Sequence, residues 1–211
     1  GGDGNDTFNI NAKVNELHGE DGADTFNIKA TVDNISGGKG DDHFVFFEGG
    51  SVTTASGDEG NDIVDFSKLT TADPIILNGT KINNVDSVFR VIANSNDYST
   101  LKAISGNNTW RIYDFDGSGT AADGTNDGVL NGIQFVDFKI LQGGTDSDTF
   151  TIDTKFDGSI YGGDGNDIFN INAKVNELHG EDGADTFNIK AQVENIFGGN
   201  GDDHFVFFEG G

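Results

Sequence analysis

The sequence predicts an all-β fold, a parallel β-solenoid with about 18 residues per coil and a Gly/Asp turn along one edge. Three observations predict it: a recurring glycine–aspartate turn, apolar residues in repeating columns, and a constant spacing between the turns. The stretch "GEDGADTFNI" runs from Gly19 to Ile28 and recurs unchanged from Gly180 to Ile189. One such coil cannot bury its own apolar face, whereas a stack of coils can.

Two repeat lengths are present. Residues 1–50 return at 162–211, an offset of 161 with five changes. Within this long repeat, an aspartate closes a glycine-rich turn every 18 to 20 residues. We therefore expect one 161-residue unit followed by the first 50 residues of the next, cut from a longer array. The aspartates are Asp6, Asp24, Asp42, Asp62, Asp148, Asp167, Asp185 and Asp203.

The apolar residues alternate with polar ones after each turn. Phe8, Phe26 and Phe44 occupy one column, and the residues between successive apolar columns are mostly polar, as at Asn9 and Asn27. This alternation is typical of strands with one buried face. A second short apolar set follows each strand, so that each coil is predicted to read strand, turn, strand, turn.

Composition excludes several classes of protein. The 211 residues include 36 acidic and 12 basic side chains, a formal charge of −24, which disfavours nucleic acid and anionic membranes and attracts cations. Eighteen phenylalanines argue for a packed core rather than disorder. No apolar run approaches the roughly 20 residues of a membrane span. The chain has no cysteine, no Gly-x-Ser-x-Gly elbow and no zinc-type histidine pair, so we expect no enzyme.

The turn chemistry indicates a cation. Reversing the chain within six residues requires positive φ angles, which glycine adopts at little cost, and such turns direct carbonyl oxygens inward. Each aspartate adds a carboxylate, and hard oxygen ligands suit Ca²⁺. Stacking would place equivalent aspartates roughly 4.8 Å apart, where two carboxylates repel by several kcal/mol at an effective dielectric constant near 20. A positive charge is therefore expected between coils.

"GGDGND" followed by "TFN" resembles the nine-residue repeat of RTX (repeats-in-toxin) calcium-binding proteins. The resemblance covers the repeat blocks and implies that aspartate side chains and turn carbonyls of adjacent coils hold Ca²⁺. Carried over, the side-chain ligands are the eight aspartates above. The glycines of the predicted sites are Gly2, Gly4, Gly19, Gly22, Gly38, Gly40, Gly163, Gly165, Gly180, Gly183, Gly199 and Gly201.

The chain also departs from that pattern. The opposite turn of each coil, such as "NAKVN", lacks glycines, so calcium is expected along one edge only. We expect His18 and His179 to replace the first glycine of their turns. Asp58 is expected at the second position of its turn and Asp146 at the fourth. The alternative interpretation is a series of tight turns with solvated aspartates.

The middle of the chain is less regular. We divide the chain into RTX-like coils over 1–66, an irregular solenoid module with longer loops over 67–142, and RTX-like coils over 143–211. Strand-like runs such as "NTWRIYDF" resemble modules of giant bacterial surface proteins. The segment Asp114–Gly128 imitates the start of an EF-hand loop but lacks its final glutamate, and a flexible acidic loop is favoured. Trp110 is expected in the core or as a loop clamp.

These features together predict a calcium-rigidified stalk or spacer in a secreted or surface-anchored bacterial repeat protein. Expected partners are calcium ions, neighbouring repeats of the same chain and end-to-end copies, without nucleic acid or membrane insertion. At roughly 4.8 Å per coil, one unit would be about 40 Å long. Two alternatives remain: a C-terminal export domain of a secreted toxin or hydrolase, and a polysaccharide-binding or polysaccharide-cleaving β-helix. The second requires a basic and aromatic groove.

Overall fold

Every regular element of the described chain is a β-strand. The computed structural model describes residues 1–70, 75–78, 81–93, 99–113 and 126–209. Within these ranges it contains 24 strands and no helix, and so no helix long and apolar enough to cross a membrane. The predicted loop Asp114–Gly128 lies, up to residue 125, outside the described residues.

The chain divides into two compact units. Unit 1 comprises Gly1–Ala72 and Thr80–Asn96, and unit 2 comprises Asp73–Gly79 and Asp97–Gly211. In both, strands that lead into the glycine turns form one sheet (sheet A), and strands that leave the turns form another (sheet B). The strands of unit 1 are β1 Gly2–Asp3, β2 Thr7–Ile10, β3 Val14–Asp21, β4 Thr25–Ile28, β5 Thr31–Lys39, β6 His43–Phe47, β7 Ser51–Glu59, β8 Ile63–Lys68, β10 Lys81–Ile82, β11 Val85–Asp86 and β12 Arg90–Ile92.

Unit 2 is built in the same way. Its strands are β9 Ile75–Asn78, β13 Thr100–Ala103, β14 Thr109–Ile112, β15 Gly128–Leu130, β16 Ile133–Val136, β17 Ile140–Gln142, β18 Thr149–Ile152, β19 Phe156–Asp164, β20 Ile168–Ile171, β21 Val175–Asp182, β22 Thr186–Ile189, β23 Val193–Asn200 and β24 His204–Phe207. Sheet A of this unit follows the order β9-β13-β17-β19-β21-β23, and sheet B the order β16-β15-β14-β18-β20-β22-β24.

Unit 1 confirms the predicted solenoid. Sheet A runs β1-β3-β5-β7-β11-β10 and sheet B runs β2-β4-β6-β8-β12, with parallel neighbours throughout the repeat coils. Phe8 pairs in register with Phe26, and Phe26 with Phe44. Their rings stack with centroids 4.9 and 5.1 Å apart, the expected separation of neighbouring coils. The apolar columns of both sheets are buried between them, as Phe26 and Val32 show.

Unit 2 has a corresponding column, which begins with tryptophan and continues with phenylalanine. Trp110 pairs with Phe150, Phe150 with Phe169, and Phe169 with Phe187. The Trp110 and Phe150 rings stack at 5.3 Å, and both side chains are fully buried. Trp110 is therefore a core residue, one of the two roles expected from its sequence context.

Some described strands of the middle segment pair with repeat strands, and others pair only with one another, not always in parallel. In unit 1, β12 pairs with β8 and β11 with β7, both parallel. In unit 2, β14 pairs with β18 in parallel but also with β15 in antiparallel, and β15 with β16 likewise. These antiparallel strands are a departure that the sequence did not indicate. The division at residues 66 and 142 stays a prediction.

Candidate metal-binding turns

Every Gly/Asp turn lies on the same edge of its unit, between a strand of sheet A and the next strand of sheet B. We number the six turn residues so that the aspartate is position 6; in the second turn, position 1 is then Gly19. Positions 2 and 3 still belong to sheet A, where Glu20 pairs with Gly38 and Asp21 with Lys39. The turns therefore stack with the same register as the strands that lead into them.

The register corrects one sequence prediction. His18 and His179 do not replace a turn glycine, because both precede position 1: His18 pairs with Ser36 in sheet A. The residues that replace glycine are Glu20 and Glu181 at position 2, with φ angles of 83° and 80°. Stacking of the coils holds these glutamates in a conformation that glycine adopts more easily. Asp58 at position 2 and Asp146 at position 4 stand where the sequence predicted them.

At position 4 of turns that follow another repeat coil, a neighbouring carbonyl group requires glycine. Gly22 has a φ of 136°, and a side chain there would collide with the carbonyl of Gly4 in the preceding coil. The same relation holds between Gly40 and Gly22, and between Gly183 and Gly165. The position-4 carbonyls of Gly4, Gly22, Gly165 and Gly183 thus face the next coil.

Position 1 brings further oxygens together, and the sequence prediction named only two of its glycines, Gly19 and Gly180. A Cβ atom on Gly19 would collide with one carboxylate oxygen of Asp24 and with the carbonyl oxygen of Gly37 in the next coil. These two oxygens therefore converge beside Gly19. The residue five positions before each aspartate is glycine in every turn. The incorrect assignment of His18 to the first position of its turn concealed this pattern. The position-1 glycines are Gly1, Gly19, Gly37, Gly57, Gly143, Gly162, Gly180 and Gly198.

The aspartates link successive coils in one direction. Oδ1 of Asp24 accepts a hydrogen bond from the backbone N–H of Asp6 at 2.7 Å, and Oδ1 of Asp42 accepts one from Asp24 at 2.8 Å. In unit 2, Oδ1 of Asp185 accepts the N–H of Asp167 at 2.8 Å. Six of the eight aspartates are at most 1% exposed: Asp24, Asp42, Asp62, Asp148, Asp167 and Asp185. Asp6 and Asp203 are half-buried.

The second carboxylate oxygen has no hydrogen-bond donor in most turns. Among the described residues, nothing donates to Oδ2 of Asp24, Asp42, Asp62, Asp167 or Asp185. A buried anionic oxygen without a partner is costly, and such groups are normally compensated by a proton or a cation. The alternative of solvated aspartates therefore does not describe these five side chains.

Burial also shifts the proton equilibria of these carboxyl groups. The pKa of Asp42 is raised to about 6 and that of Asp167 to about 7, mainly by loss of hydration and also by neighbouring acidic side chains, while backbone hydrogen bonds lower both in part. Desolvation likewise raises the pKa of Asp62, Asp148 and Asp185. Near neutral pH the turns thus favour a bound positive charge.

The donor set fits a hard cation such as Ca²⁺. Between two coils the turn offers the orphaned Oδ2 of one aspartate and, beside it, the position-1 carbonyl of the next coil, as with Asp24 and Gly37. Carboxylate and carbonyl oxygens are the ligands that Ca²⁺ prefers. In the described parts of the chain, no three histidine, aspartate or glutamate side chains gather into a cluster that could hold a metal ion. Backbone carbonyls would have to supply the remaining ligands, and the assignment of individual ligands stays a prediction.

Sequence reasoning missed one member of the aspartate column. Asn108, in "SGNNTW", stands one coil before Asp148 and donates its backbone N–H to Asp148 Oδ1 at 2.6 Å. The resemblance of "NTW" to "DTF" was the available signal, but 40 residues separate the two positions. In unit 1 the aspartate column ends at Asp62. Phe89 follows it in the next coil, where its backbone N–H donates to the Asp62 carbonyl oxygen at 2.9 Å, and Phe89 carries no carboxylate.

Comparison with known families agrees with this geometry. The model of the RTX calcium-binding nonapeptide repeat matches four copies, over residues 1–27, 30–45 and 159–173. These segments contain the turns that end at Asp6, Asp24, Asp42 and Asp167. No curated protein and no solved structure matches the chain.

Proposed function

We propose that this chain, which carries RTX calcium-binding nonapeptide repeats in a β-solenoid, is a non-enzymatic stalk or spacer segment that Ca²⁺ makes rigid. The observation that supports it most directly is the repetition of a buried, unpartnered carboxylate oxygen from coil to coil, at Asp24, Asp42 and Asp62 in unit 1 and at Asp167 and Asp185 in unit 2. A single ion site would serve a local purpose. Sites repeated at these junctions would tie the order of the repeat coils to calcium.

The proposed mechanism is charge neutralisation at the turns. Without a cation, each carboxylate is buried beside another carboxylate one coil away, which destabilises the stack near neutral pH. Ca²⁺ would supply the missing positive charge between coils, and its binding free energy would become folding free energy. The aspartates and turn glycines hold the oxygens in place, while the apolar columns keep the register.

We place the parent protein outside the bacterial cell, at the surface or in the medium, where calcium is millimolar. The RTX repeats support this location, since proteins with such repeats are generally secreted. The near-identity of 1–50 and 162–211 supports a stalk over an export signal, because export does not require repetition of a 161-residue unit. An adhesin or a surface filament is the parent we favour.

The open edge of unit 2 supports association with further coils. Phe44 and Phe46 are 0% and 4% exposed in unit 1, whereas their counterparts Phe205 and Phe207 are 39% and 68% exposed. In unit 1 these positions are covered by β8, which pairs with β6. An unpaired strand with exposed phenylalanines attracts another strand. The partner is a following repeat of the same chain or, in its absence, a second copy.

The polysaccharide alternative receives less support. A groove of about 620 Å³ in unit 2 is lined by Lys139, Tyr161 and Glu177 among others. However, the Tyr161 ring stacks on His179 at 4.5 Å, and His179 stacks on Phe197 at 4.7 Å. The ring faces that would stack on a sugar are therefore largely covered by these neighbouring rings.

Two measurements test the proposal. Circular dichroism and thermal melting of the 211-residue chain, with calcium and with chelator, should show a large calcium-dependent gain in β-structure and melting temperature; magnesium at equal ionic strength is the control. Electron microscopy of a chain of several 161-residue units should show thin, stiff fibres in calcium. An unchanged melt would refute calcium rigidification, and compact beads on flexible strings in calcium would refute the stalk.

A further inference from the structure

One junction between coils differs from the rest, and it lies where Asn108 occupies the aspartate column. We infer that the junction between Asn108 and Asp148 in unit 2 needs no calcium and stays folded when the RTX-type turns loosen. The inference rests on the proposed calcium dependence of those other turns. Equivalent carboxylates in the column differ in the hydrogen-bond donors around them.

The carboxylate of Asp148 is satisfied by the protein itself. Oδ1 accepts two hydrogen bonds from Asn108, one from the backbone N–H at 2.6 Å and one from the side-chain Nδ2 at 2.8 Å. Oδ2 accepts the backbone N–H of Gly144 at 2.8 Å. In the regular turns Oδ1 accepts a backbone N–H and Oδ2 has no donor among the described residues, as at Asp24 and Asp42.

The asparagine occupies the place of a charged ligand with a neutral amide. Its Nδ2 also donates to the Gly106 carbonyl at 2.7 Å, and its Oδ1 accepts a hydrogen bond from Asn131 Nδ2 at 2.9 Å. Asn108 is buried, so these bonds are shielded from water. The carboxylate of Asp148 is thus surrounded by N–H groups and faces a neutral amide in the aspartate column instead of a second aspartate, so the repulsion between column aspartates that a cation would relieve is absent at this junction.

The turn at this junction also differs in sequence from the regular turns. Position 4 is Asp146 instead of glycine, and its carboxylate Oδ2 accepts the N–H of Gly106 at 2.8 Å. Trp110 stacks on Phe150 directly beside the junction, and both side chains are fully buried. Asp148, which the sequence predicts as a calcium ligand, therefore fits the role of a hydrogen-bonded structural carboxylate.

Hydrogen–deuterium exchange with mass spectrometry tests the inference on the complete chain, in calcium and in chelator. The amides of 108–112 and 148–152 should exchange at similar rates in both, whereas those of 24–28 and 42–46 should exchange at least tenfold faster in chelator. Loss of protection at 108–112 together with 24–28 would overturn the inference. Protection of 24–28 in chelator would instead overturn the proposed function, so the two failures are distinct.

A variant gives the sharper test. Asn108→Asp restores a carboxylate pair and removes the Nδ2 donor, so protection of 108–112 should become calcium-dependent and a calcium titration should gain binding at this junction. Asn107→Asp adds the same charge at the exposed neighbouring residue and serves as the matched control, with exchange unchanged. Exchange in Asn108→Asp that stays independent of calcium, whether fast or slow, would overturn the inference.

Discussion

The two copies of the 50-residue repeat share 45 identical positions, yet they are not equally buried. Asp6 and Phe8 are half-buried at the start of unit 1, whereas their counterparts Asp167 and Phe169 are fully buried because β18 and β19 precede them in unit 2. Backbone conformation hardly changes, with Glu20 and Glu181 at nearly the same φ angle. The sequence of a coil thus sets its shape, while its neighbours set its burial and its electrostatics.

This difference locates the candidate ion sites. A turn is complete only when a neighbouring coil supplies the opposite carbonyl or N–H group, so each site belongs to a pair of coils. The proposed rigidity follows from that arrangement, because an ion at a junction stabilises both coils at once. Substitutions at equivalent positions in the two copies separate effects of the coil itself from effects of its neighbours.

The largest expected difference concerns glycine at position 4. In Gly165→Ala, the new Cβ would lie 2.7 Å from the carbonyl carbon of Asp146, in addition to the strain of a φ of 122°. In Gly4→Ala, nothing lies within 4 Å of the new Cβ, and only the φ of 109° is unfavourable. We expect a loss of about 3–5 kcal/mol for Gly165→Ala and about 1 kcal/mol for Gly4→Ala, measured by urea unfolding in calcium. Equal losses would show that the neighbouring coil does not decide the requirement for glycine.

The second prediction concerns pH in the absence of calcium. Burial raises the pKa of Asp42 to about 6 and of Asp167 to about 7, above the ordinary value near 4 in the unfolded chain. Between these values the folded chain binds more protons than the unfolded chain, so the free energy of unfolding falls as pH rises from about 4 to about 7. For Asp42 alone the loss is about 3 kcal/mol.

The measurement is the melting temperature in chelator from pH 4.5 to 8. This range follows from the two pKa values. Asp167→Asn should flatten the pH dependence, because a neutral amide mimics the protonated acid, whereas Asp6→Asn at the half-buried counterpart should change it less. In calcium the trend should reverse, since Ca²⁺ and protons compete for the same oxygens. A melting temperature that rises with pH in chelator would contradict the prediction.

The third prediction removes one carboxylate from an interior turn of each copy. Asp24→Ala deprives the Asp6 N–H of its acceptor, and Asp185→Ala does the same to Asp167. Both aspartates have coils on either side, so the two variants should lose equal stability, about 1.5–3 kcal/mol, and bind calcium more weakly. The apolar columns remain, so local loosening is expected instead of loss of the fold. A calcium titration identical to that of the unmodified chain would show that Asp24 is not a ligand.

Much of this architecture could be predicted from the sequence because it depends on strict repetition. The spacing of the aspartates fixes the coil length, and the columns that begin at Phe8 and Ile10 fix which face is buried. The hydrogen-bond direction of the aspartates could not be predicted, since it depends on the vertical order of the coils. Asn108 was missed because an amide replaces the carboxylate and 40 residues intervene before Asp148.

The register of the turn was wrong for a different physical reason. A positive φ at position 2 predicts glycine, but Glu20 occupies that place in the structure. Hydrogen bonds along the stack, such as Gly4 N–H to the Asp21 carbonyl at 2.7 Å, hold the chain on both sides of it. Tertiary pairing here overrides a local preference of about 1 kcal/mol, which sequence patterns alone do not reveal.

The smallest expected effect follows from this strained glutamate and should be the same in both copies. Glu20→Gly and Glu181→Gly each relieve an unfavourable φ of about 80° and remove an acid from a highly negative chain. The flexibility that glycine adds to the unfolded chain offsets part of the gain, so each variant should be more stable by about 0.5–1 kcal/mol in urea unfolding. Gly38→Ala is the reverse control at the same position, where a Cβ would collide with the Glu20 carbonyl and should destabilise the chain. Because the strain belongs to the coil itself, unequal gains in the two copies would mean that neighbouring coils set the backbone as well as the burial. The sequence of a coil would then not be sufficient to set its backbone shape.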